Sequence, residues 1–473
     1  MDEFLREINV MIFKRWILNQ TSEDYHLYLS QNNKNVIIIE TNYCHSEITF
    51  NPLSIIEFIV TNTVNNEIEF YLHFQMKTVK HAVDLFYEML DSIKKLVKKP
   101  ITRILLSCSG GLTTSFFAEK LNMGAKLLYM DYEFAAISYT ELFNVGKQYD
   151  IIMLAPQISF LQPKVQEILN DKIVLTIPSQ VFAKYDAGKI YNIIYNQKKK
   201  ARAKKVKSPK PLSLKMAIHP NAKILCIAII RTSDRVELAY RVYDENNNIV
   251  LDDVIIKNVI YVDDIYDILN VVTTKFLDIS VVGISMPGII NKGNVFLPQE
   301  GFENFDLYKN LPKSYHQKIF VDNDVNSIAV GYYASQDKYQ SLTYLFQPQG
   351  FAGGVGIIFN GQLMKGRKNL AGEVKYLPLS LSDKLELLSQ TPEGALELVT
   401  KTIVAINCIN GPEAFVLTCP LLLNSNEIIN ELKKYFPACY IPDLEMVKVD
   451  DLKEYMLLGH MILCVQSLNE KSE

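Results

Sequence analysis

The sequence predicts a multidomain α/β protein: an N-terminal α+β unit, then a doubly wound parallel sheet, then a larger two-lobed domain. A length of 473 residues suits about two to four domains of ordinary size. Strand and helix patterns alternate from residue 102 to about residue 196, which is typical of parallel sheets. A second strand-rich pattern opens near residue 216, after a basic segment.

The composition is that of a globular protein, with 48% hydrophobic and 21% charged residues. A net charge of −3 gives no general case for a nucleic-acid partner. The seven cysteines are scattered, no secretory signal pattern precedes them, and no apolar run reaches the roughly 18 residues of a membrane span. We therefore expect a reduced, cytoplasmic protein without direct membrane insertion.

Residues 1–100 predict a separate α+β domain whose role the sequence leaves open. A helical pattern from Phe4 to Leu18 precedes short alternating segments separated by Asn- and Thr-rich turns, and a second helical pattern begins at His81. Strands fill the place of a helix-turn-helix, which argues against a DNA-binding repressor. Cys44-His45 lacks a second ligand pair, so we expect no metal site there.

Residues 101–197 predict a four-stranded parallel sheet with helices on both faces. The expected strands are Arg103–Ser107, Lys126–Met130, Ile151–Ala155 and Ile173–Ile177. Cys108 follows the first strand, at the carboxyl edge where such sheets bind ligands.

Cys108 is the candidate catalytic residue because a Gly/Ser/Thr loop and a helical pattern follow it directly. Unpaired N–H groups and the dipole of a helix N-terminus favour an anion there, and they favour the thiolate form of a cysteine. The alternative is a buried structural cysteine, against which the glycines and hydroxyls argue. The predicted phosphate-binding loop comprises Ser109, Gly110, Gly111, Leu112, Thr113, Thr114 and Ser115.

The region resembles the enzyme IIB domain of lactose/cellobiose-type phosphotransferase systems, a bacterial sugar-transport machinery. The resemblance lies in the Cys108–Ser115 loop, in Asp150–Gln157 with its Pro-Gln turn, and in the Tyr185 to Gly188 segment. It implies that Cys108 takes phosphate from a histidine of enzyme IIA and passes it to a sugar, with a separate membrane permease, enzyme IIC. A tyrosine phosphatase of low molecular weight would need an Arg where Thr114 stands.

Residues 198–215 predict a basic linker. The run that starts at Lys198 has no apolar face and ends in prolines, and its like charges repel. The alternative, an arm that binds nucleic acid, lacks interleaved aromatic residues and a basic domain beside it.

Residues 216–473 resemble the ROK family of sugar kinases and repressors. The similar segments are Gly283–Ile290, Val321–Ala329 and Gly353–Gly366 with the following Ala371–Val374. The resemblance implies an actin-like, two-lobed fold, with Asn323, Asp324 and Glu373 as sugar contacts and Asp324 at the position of the kinase base. An Asn/Asp helix cap is the structural alternative.

Several departures from the ROK pattern predict a pseudokinase without cofactor or metal. The segment Ala228–Ser233 lacks the glycines that wrap phosphates, and Thr418–Pro420 replaces a late Gly-Gly turn. Lys375-Tyr376 stands where the family has Gly-His, and the Cys-rich zinc loop is absent.

The sequence thus favours a phosphotransferase-linked sensor or regulator that accepts phosphate on Cys108 and binds a sugar, sugar phosphate or partner in its ROK-like half. The alternative is a working enzyme IIB phosphocarrier for β-glucoside or cellobiose uptake with an accessory domain. Whether the protein is an enzyme stays open at this point, but we expect no ATP-dependent sugar kinase activity. The particular sugar and a homo-oligomeric state also stay open.

Overall fold

The protein is described by a computed structural model, which covers residues 3–22, 24–63, 66–97, 102–110, 112–128, 130, 132–169, 172–203, 222–231, 235–291, 294–296, 305–306, 315–422 and 424–469. The chain divides into two compact units, one formed by residues 1–93 with 208–473 and the other by residues 94–207.

Helices and strands alternate through both units. The helices are α1 (Glu3–Leu18), α2 (Val79–Val97), α3 (Leu112–Leu127), α4 (Leu142–Val145), α5 (Gln162–Ile168), α6 (Ser179–Lys184), α7 (Ala187–Ala203), α8 (Val262–Lys275), α9 (Asp324–Ala334), α10 (Leu385–Leu388), α11 (Pro392–Asn410), α12 (Ser425–Leu432) and α13 (Leu452–Asn469).

The strands are β1 (His26–Leu29), β2 (Val36–Glu40), β3 (Cys44–Asn51), β4 (Ile55–Asn62), β5 (Ile68–Gln75), β6 (Thr102–Cys108), β7 (Tyr132–Ser138), β8 (Ile151–Leu154), β9 (Ile173–Thr176), β10 (Lys223–Arg231), β11 (Val236–Tyr243), β12 (Ile249–Lys257), β13 (Ile279–Met286), β14 (Ile289–Asn291), β15 (Asn294–Phe296), β16 (Phe305–Asp306), β17 (Lys318–Asn323), β18 (Leu342–Phe346), β19 (Gly354–Phe359), β20 (Gln362–Leu363), β21 (Ala414–Thr418) and β22 (Asp443–Met446).

The unit of residues 94–207 is built on a four-stranded, all-parallel sheet in the order β7-β6-β8-β9. Alternate residues of β6 enter two separate cores: Ile104 and Leu106 pack with α3 and α7, whereas Leu105 packs with α4 and α5. Both faces are therefore covered by helices, which confirms the predicted doubly wound sheet.

Two sequence predictions in this unit were wrong in their bounds. The strand expected at Lys126–Met130 is Tyr132–Ser138 instead, because α3 continues to Leu127. The start of the predicted linker is helical, since α7 runs to Ala203, and Lys, Ala and Arg are all good helix formers. The rest of the predicted linker, residues 204–215, lies outside the described residues.

The other unit contains a ten-stranded sheet in the order β1-β2-β3-β4-β5-β12-β11-β10-β13-β17. Strands β1 to β5 form an antiparallel meander, and β10, β13 and β17 are parallel neighbours. A five-stranded sheet follows, in the order β20-β19-β18-β21-β22. Its first three strands are antiparallel and its last three parallel, which repeats the arrangement of β12-β11-β10-β13-β17. This repetition is the two-lobed, kinase-like architecture that the sequence predicts.

The N-terminal residues extend the first of these sheets, although the sequence predicts a domain of their own over residues 1–100. Strand β5 pairs with β12 antiparallel, with Tyr71 opposite Ile256. The edge of β12 that the kinase-like lobe would expose is thereby covered by a neighbouring strand, which satisfies its backbone groups.

Buried ionic contacts join the N-terminal segment to the lobe that it extends. The ammonium of Lys257, 1% exposed, lies 2.6 Å from carboxylate oxygens of both Glu88 and Asp264. The Asp267 carboxylate accepts from His81 at 2.9 Å and from Lys77 at 3.3 Å. Each contact links α2 or the turn before it to β12 or α8, so the junction has one specific geometry.

We expect Lys257→Met to destabilise this unit by about 3–5 kcal/mol, because the buried Asp264 carboxylate loses its counter-charge. The single tryptophan, Trp16, stacks on Phe13 of the same unit, so its fluorescence during urea unfolding measures the effect. Lys434→Ala, which removes an exposed pair with Glu431, is the control and should change the stability by less than about 0.5 kcal/mol. Equal effects of the two substitutions would contradict the proposed junction.

Candidate functional site

Cys108 lies at the carboxyl end of β6, an inner strand of the parallel sheet. The strand reaches this point through five buried residues, Ile104–Cys108, and the Cys108 side chain is 5% exposed. Its neighbour in register is Ser138 at the end of β7. The thiol therefore stands at the edge of the sheet where loops and helix N-termini converge.

The loop that follows Cys108 returns a hydroxyl to the sulfur. Thr114, in the first turn of α3, is buried, and its Oγ1 lies 3.2 Å from the Cys108 Sγ. Of the other predicted loop residues, Ser109, Gly110, Thr113 and Ser115 are exposed, whereas Gly111 and the Leu112 side chain lie outside the described residues. The structure thus brings Cys108 and Thr114 together beneath an exposed polar loop.

Helix α3 is held against the sheet by hydrogen bonds that do not involve the loop. The Asn122 side chain donates to the carbonyl of Phe134 at 2.7 Å and accepts from its N–H at 2.8 Å. The Tyr191 hydroxyl donates to the carbonyl of Leu121 at 2.6 Å. These contacts fix the direction of the helix, so its N-terminal dipole points towards the region of the thiol. A partly buried sulfur in this setting suits an anion or a covalently held phosphate.

The second predicted site is at the carboxyl ends of β10, β13 and β17. Asn323 ends β17 and caps α9, since its side-chain oxygen accepts from the N–H groups of Val325 at 3.0 Å and Asn326 at 3.1 Å. Its amide nitrogen donates to the carbonyl of Gly288 at 3.0 Å. Asn323 is therefore a helix cap as well as a candidate sugar contact, and the two interpretations are compatible.

Asp324, the first residue of α9, is buried and accepts a hydrogen bond from the Val325 N–H at 2.8 Å. Burial raises the pKa of its carboxyl to about 7, and the nearby charge of Glu373 acts in the same direction. The Val325 hydrogen bond and the charge of Arg231 oppose that rise. The carboxyl is therefore close to half protonated near neutral pH.

Glu373 is placed by a turn that only glycine accommodates. Gly372 has a φ of +89°, and a Cβ there would lie 1.8 Å from the carbonyl oxygen of Val355. Glu373 forms an isolated bridge with Gly354, and burial raises the pKa of its carboxyl, which Lys375 counteracts. The structure thus brings Asp324 and Glu373 into electrostatic contact, as the sequence predicts.

Sequence reasoning missed two features beside these carboxyls. Arg231, treated there only as part of a lost glycine turn, has its guanidinium carbon 5.5 Å from the centre of the Phe351 ring. Lys365 forms an ion pair with Asp322, the residue before Asn323. A charged residue at the end of a buried strand was the signal available for Arg231.

The predicted departures from a kinase have structural counterparts. Thr418 is buried and bonds within its lobe, to the Val447 carbonyl at 3.1 Å and the Tyr344 hydroxyl at 2.7 Å. Within the described ranges, no group of three His, Cys, Asp or Glu side chains could hold a metal ion, and no helix is long and apolar enough to cross a membrane. A cavity of about 1040 Å³ beside Tyr333 and Gln466 is lined by none of the three predicted sugar contacts.

Asp324→Asn should change how stability depends on pH. The folded chain holds the Asp324 proton up to about pH 7, whereas an unfolded aspartate releases it near pH 4. The stability of the wild type relative to the variant should therefore fall as pH rises from about 4 to about 7, by up to roughly 4 kcal/mol, and stay level above that range. Trp16 fluorescence in urea at each pH measures the difference.

Asp383→Asn, at an exposed position, is the matched control and should stay within about 0.5 kcal/mol of the wild type throughout. A pH-independent difference for Asp324→Asn would show that its carboxyl is not protonated in the folded chain at neutral pH.

Two family models match the chain. Residues 103–192 match the model of the phosphotransferase system lactose/cellobiose-specific IIB subunit, and residues 237–393 match that of the ROK family. The two resemblances found in the sequence are therefore confirmed.

Curated relatives match only part of the chain. A xylose repressor of Caldicellulosiruptor bescii is 32% identical over 107 residues, which are 22% of this chain and 26% of the repressor. An N-acetyl-D-glucosamine kinase of Histophilus somni is 25% identical over 153 residues, which are 32% of this chain and 45% of the kinase. The chain thus spans about a quarter of the one relative and under half of the other.

Solved structures are similar at low identity. A ROK family glucokinase from Streptomyces griseus, in complex with glucose and AMPPNP, is 16% identical, with a TM-score of 0.40 over 52% of this chain and 100% of the glucokinase. The lactose-specific IIB component domain from Streptococcus pneumoniae is 19% identical, with a TM-score of 0.20 over 21% of this chain and 97% of that domain.

Proposed function

We propose that the protein is a phosphotransferase-linked regulator that accepts phosphate on Cys108 and binds a sugar or sugar phosphate in its ROK-like half without phosphorylating it. The observation that carries this proposal is the placement of the Cys108 sulfur, 3.2 Å from the buried Thr114 hydroxyl at the start of α3. The match to the lactose/cellobiose IIB model over the same residues supports it.

The proposed step is a phosphoryl transfer from a phosphohistidine of an enzyme IIA partner. The Cys108 thiolate attacks the phosphorus, a P–S bond forms, the P–N bond breaks, and the histidine nitrogen retains the bonding electron pair. The new thiophosphate carries about two negative charges near neutral pH, as phosphate monoesters do. The start of α3 and the Thr114 hydroxyl supply N–H and O–H donors on the side of the sulfur.

The ROK-like half suits a hydroxyl-rich ligand. Asn323, Asp324 and Glu373 offer one amide and two carboxyl groups at the ends of parallel strands, which are groups that sugars require. A nucleotide fits poorly, because the side chains of Arg231 and Phe351 meet where phosphates would need close backbone approach. We therefore derive no phosphoryl transfer from ATP at this site.

We expect Cys108→Ser to abolish phosphorylation of the chain by labelled phosphoenolpyruvate, enzyme I, HPr and a set of IIA proteins, because the serine hydroxyl is not ionised at neutral pH. The bound label is measured after gel filtration. Cys408→Ser, at an exposed cysteine, is the control and should be labelled like the wild type.

Label on Cys108→Ser at the wild-type level would contradict the assignment of Cys108. Further transfer of the label from the wild type to a sugar, in membranes that contain a IIC permease, would favour the working phosphocarrier over the regulator.

In a thermal-shift screen, we expect stabilisation of the full chain by some sugar or sugar phosphate and none by Mg-ATP. A ligand at about one hundred times its dissociation constant adds roughly 2.7 kcal/mol to the stability of the fold. Asp324→Ala should remove the shift, because it deletes a buried hydroxyl acceptor, whereas Asp383→Ala should keep it. A shift with Mg-ATP, together with sugar-dependent release of ADP, would identify an active kinase.

A further inference from the structure

Arg231 occupies a defined position between the two sheets of its unit. It is the last residue of β10, the strand whose parallel neighbours β13 and β17 lead to Asn323. Its guanidinium lies over the ring of Phe351, with 5.5 Å between the guanidinium carbon and the ring centre. Because Phe351 belongs to the loop between β18 and β19, the stack joins residues carried by the two sheets.

The loop that carries Phe351 is fixed from within. The buried Gln347 amide donates to the carbonyls of Phe351 at 2.9 Å and Pro348 at 3.0 Å. The Gly350 N–H donates to the Ser389 carbonyl at 3.0 Å. A ring held in this way orients the guanidinium plane that stacks on it, and a preorganised guanidinium loses less entropy when it binds a ligand.

The charge of Arg231 reaches the candidate sugar site. It acts on the Asp324 carboxyl, on which the charge of Glu373 acts in the opposite sense. Two carboxyl groups alone would repel an anionic ligand, whereas a guanidinium beside them offers a compensating positive charge. Uncharged sugars need no such cation, but a phosphate group matches the planar donor fork of arginine.

We propose that the ligand of this cleft is a sugar monophosphate, whose hydroxyls contact Asn323, Asp324 and Glu373 and whose phosphate contacts Arg231. This inference rests on the proposed function, in that it requires the cleft to bind a sugar-type ligand. It specifies the chemical class of that ligand and assigns a role to Arg231 as a specificity-determining residue.

The test is isothermal titration of the full chain with glucose, mannose and N-acetylglucosamine, with the 6-phosphate of each, and with glucuronate, which carries a carboxylate in place of the phosphate. We expect at least one 6-phosphate to bind about tenfold or more tightly than its parent sugar, as charge-assisted contacts to arginine allow. Arg231→Gln should abolish this preference and leave the affinity for the parent sugar within about twofold of the wild type.

Arg235→Gln is the matched control, because Arg235 pairs with Glu237 at 2.7 Å, and it should keep the phosphate preference. Arg231→Lys retains a positive charge without the planar fork and should keep part of the preference. The ratio measured on the wild type requires no substitution, so a variant that fails to fold does not remove the test.

Each remaining outcome overturns a defined claim. Binding of a parent sugar as tightly as its phosphate, tighter binding of glucuronate than of glucose 6-phosphate, or an unchanged preference in Arg231→Gln would overturn the inference and leave the proposed sugar site in place. Absence of binding for every sugar and sugar phosphate would overturn the sugar-binding function and the inference with it.

Discussion

The close crossing of α9 and α13 is the constraint on which the ROK-like half depends. A Cβ on Gly331 would lie 1.9 Å from the carbonyl oxygen of Tyr455, and one on Gly459 would lie 1.8 Å from that of Ser327. The two helix backbones therefore touch, and any side chain at either glycine would force them apart. Since α9 begins at Asp324, this crossing fixes the height and direction of the candidate sugar site.

Buried polar contacts surround that crossing and give the fold its specificity. The Nδ1 atom of His460, next to Gly459, lies 3.2 Å from the Ser327 hydroxyl. Arg241 of β11 donates to Glu454 of α13 at 2.9 Å and to Asp252 of β12 at 3.1 Å. Such pairs add little net stability, because desolvation offsets their attraction, but removal of one partner is costly. They therefore restrict α13 to one position over the sheet.

Local patterns in the sequence predict the Cys108 site almost completely. An apolar strand, a short polar loop and a helical pattern are contiguous in the chain, so residues 102–127 alone determine that geometry. The Asn323 cap and the adjacent Asp324 follow equally from a strand that gives way directly to a helix. Residue periodicity carries this information because it reflects contacts between near neighbours.

Contacts between distant segments could not be predicted in this way. The pairing of Tyr71 with Ile256 joins strands far apart in sequence, and neither strand alone shows which edge it will cover. The stack of Arg231 on Phe351 depends on how closely the two sheets approach, which no local pattern records. The start of β7 was misplaced because Lys126 and Leu127 suit a helix end as well as a strand.

The two halves suggest a protein that reports on sugar transport through two chemically different signals. Phosphate on Cys108 would reflect the phosphorylation state of a IIA partner, and the cleft around Asp324 would reflect the level of a sugar compound. The unit that carries Cys108 and the unit that carries Asp324 each have cores of their own. Each signal can therefore be received without rearrangement of the other core.

The most direct test of this account is the location of the phosphate. The full chain is phosphorylated through enzyme I, HPr and a IIA protein, digested, and mapped by mass spectrometry before and after iodine treatment, which cleaves P–S bonds. The account predicts one phosphate, on the peptide that contains Cys108, which iodine removes. Phosphate on a histidine peptide, or an iodine-resistant phosphate elsewhere, would contradict the central claim that Cys108 is the acceptor.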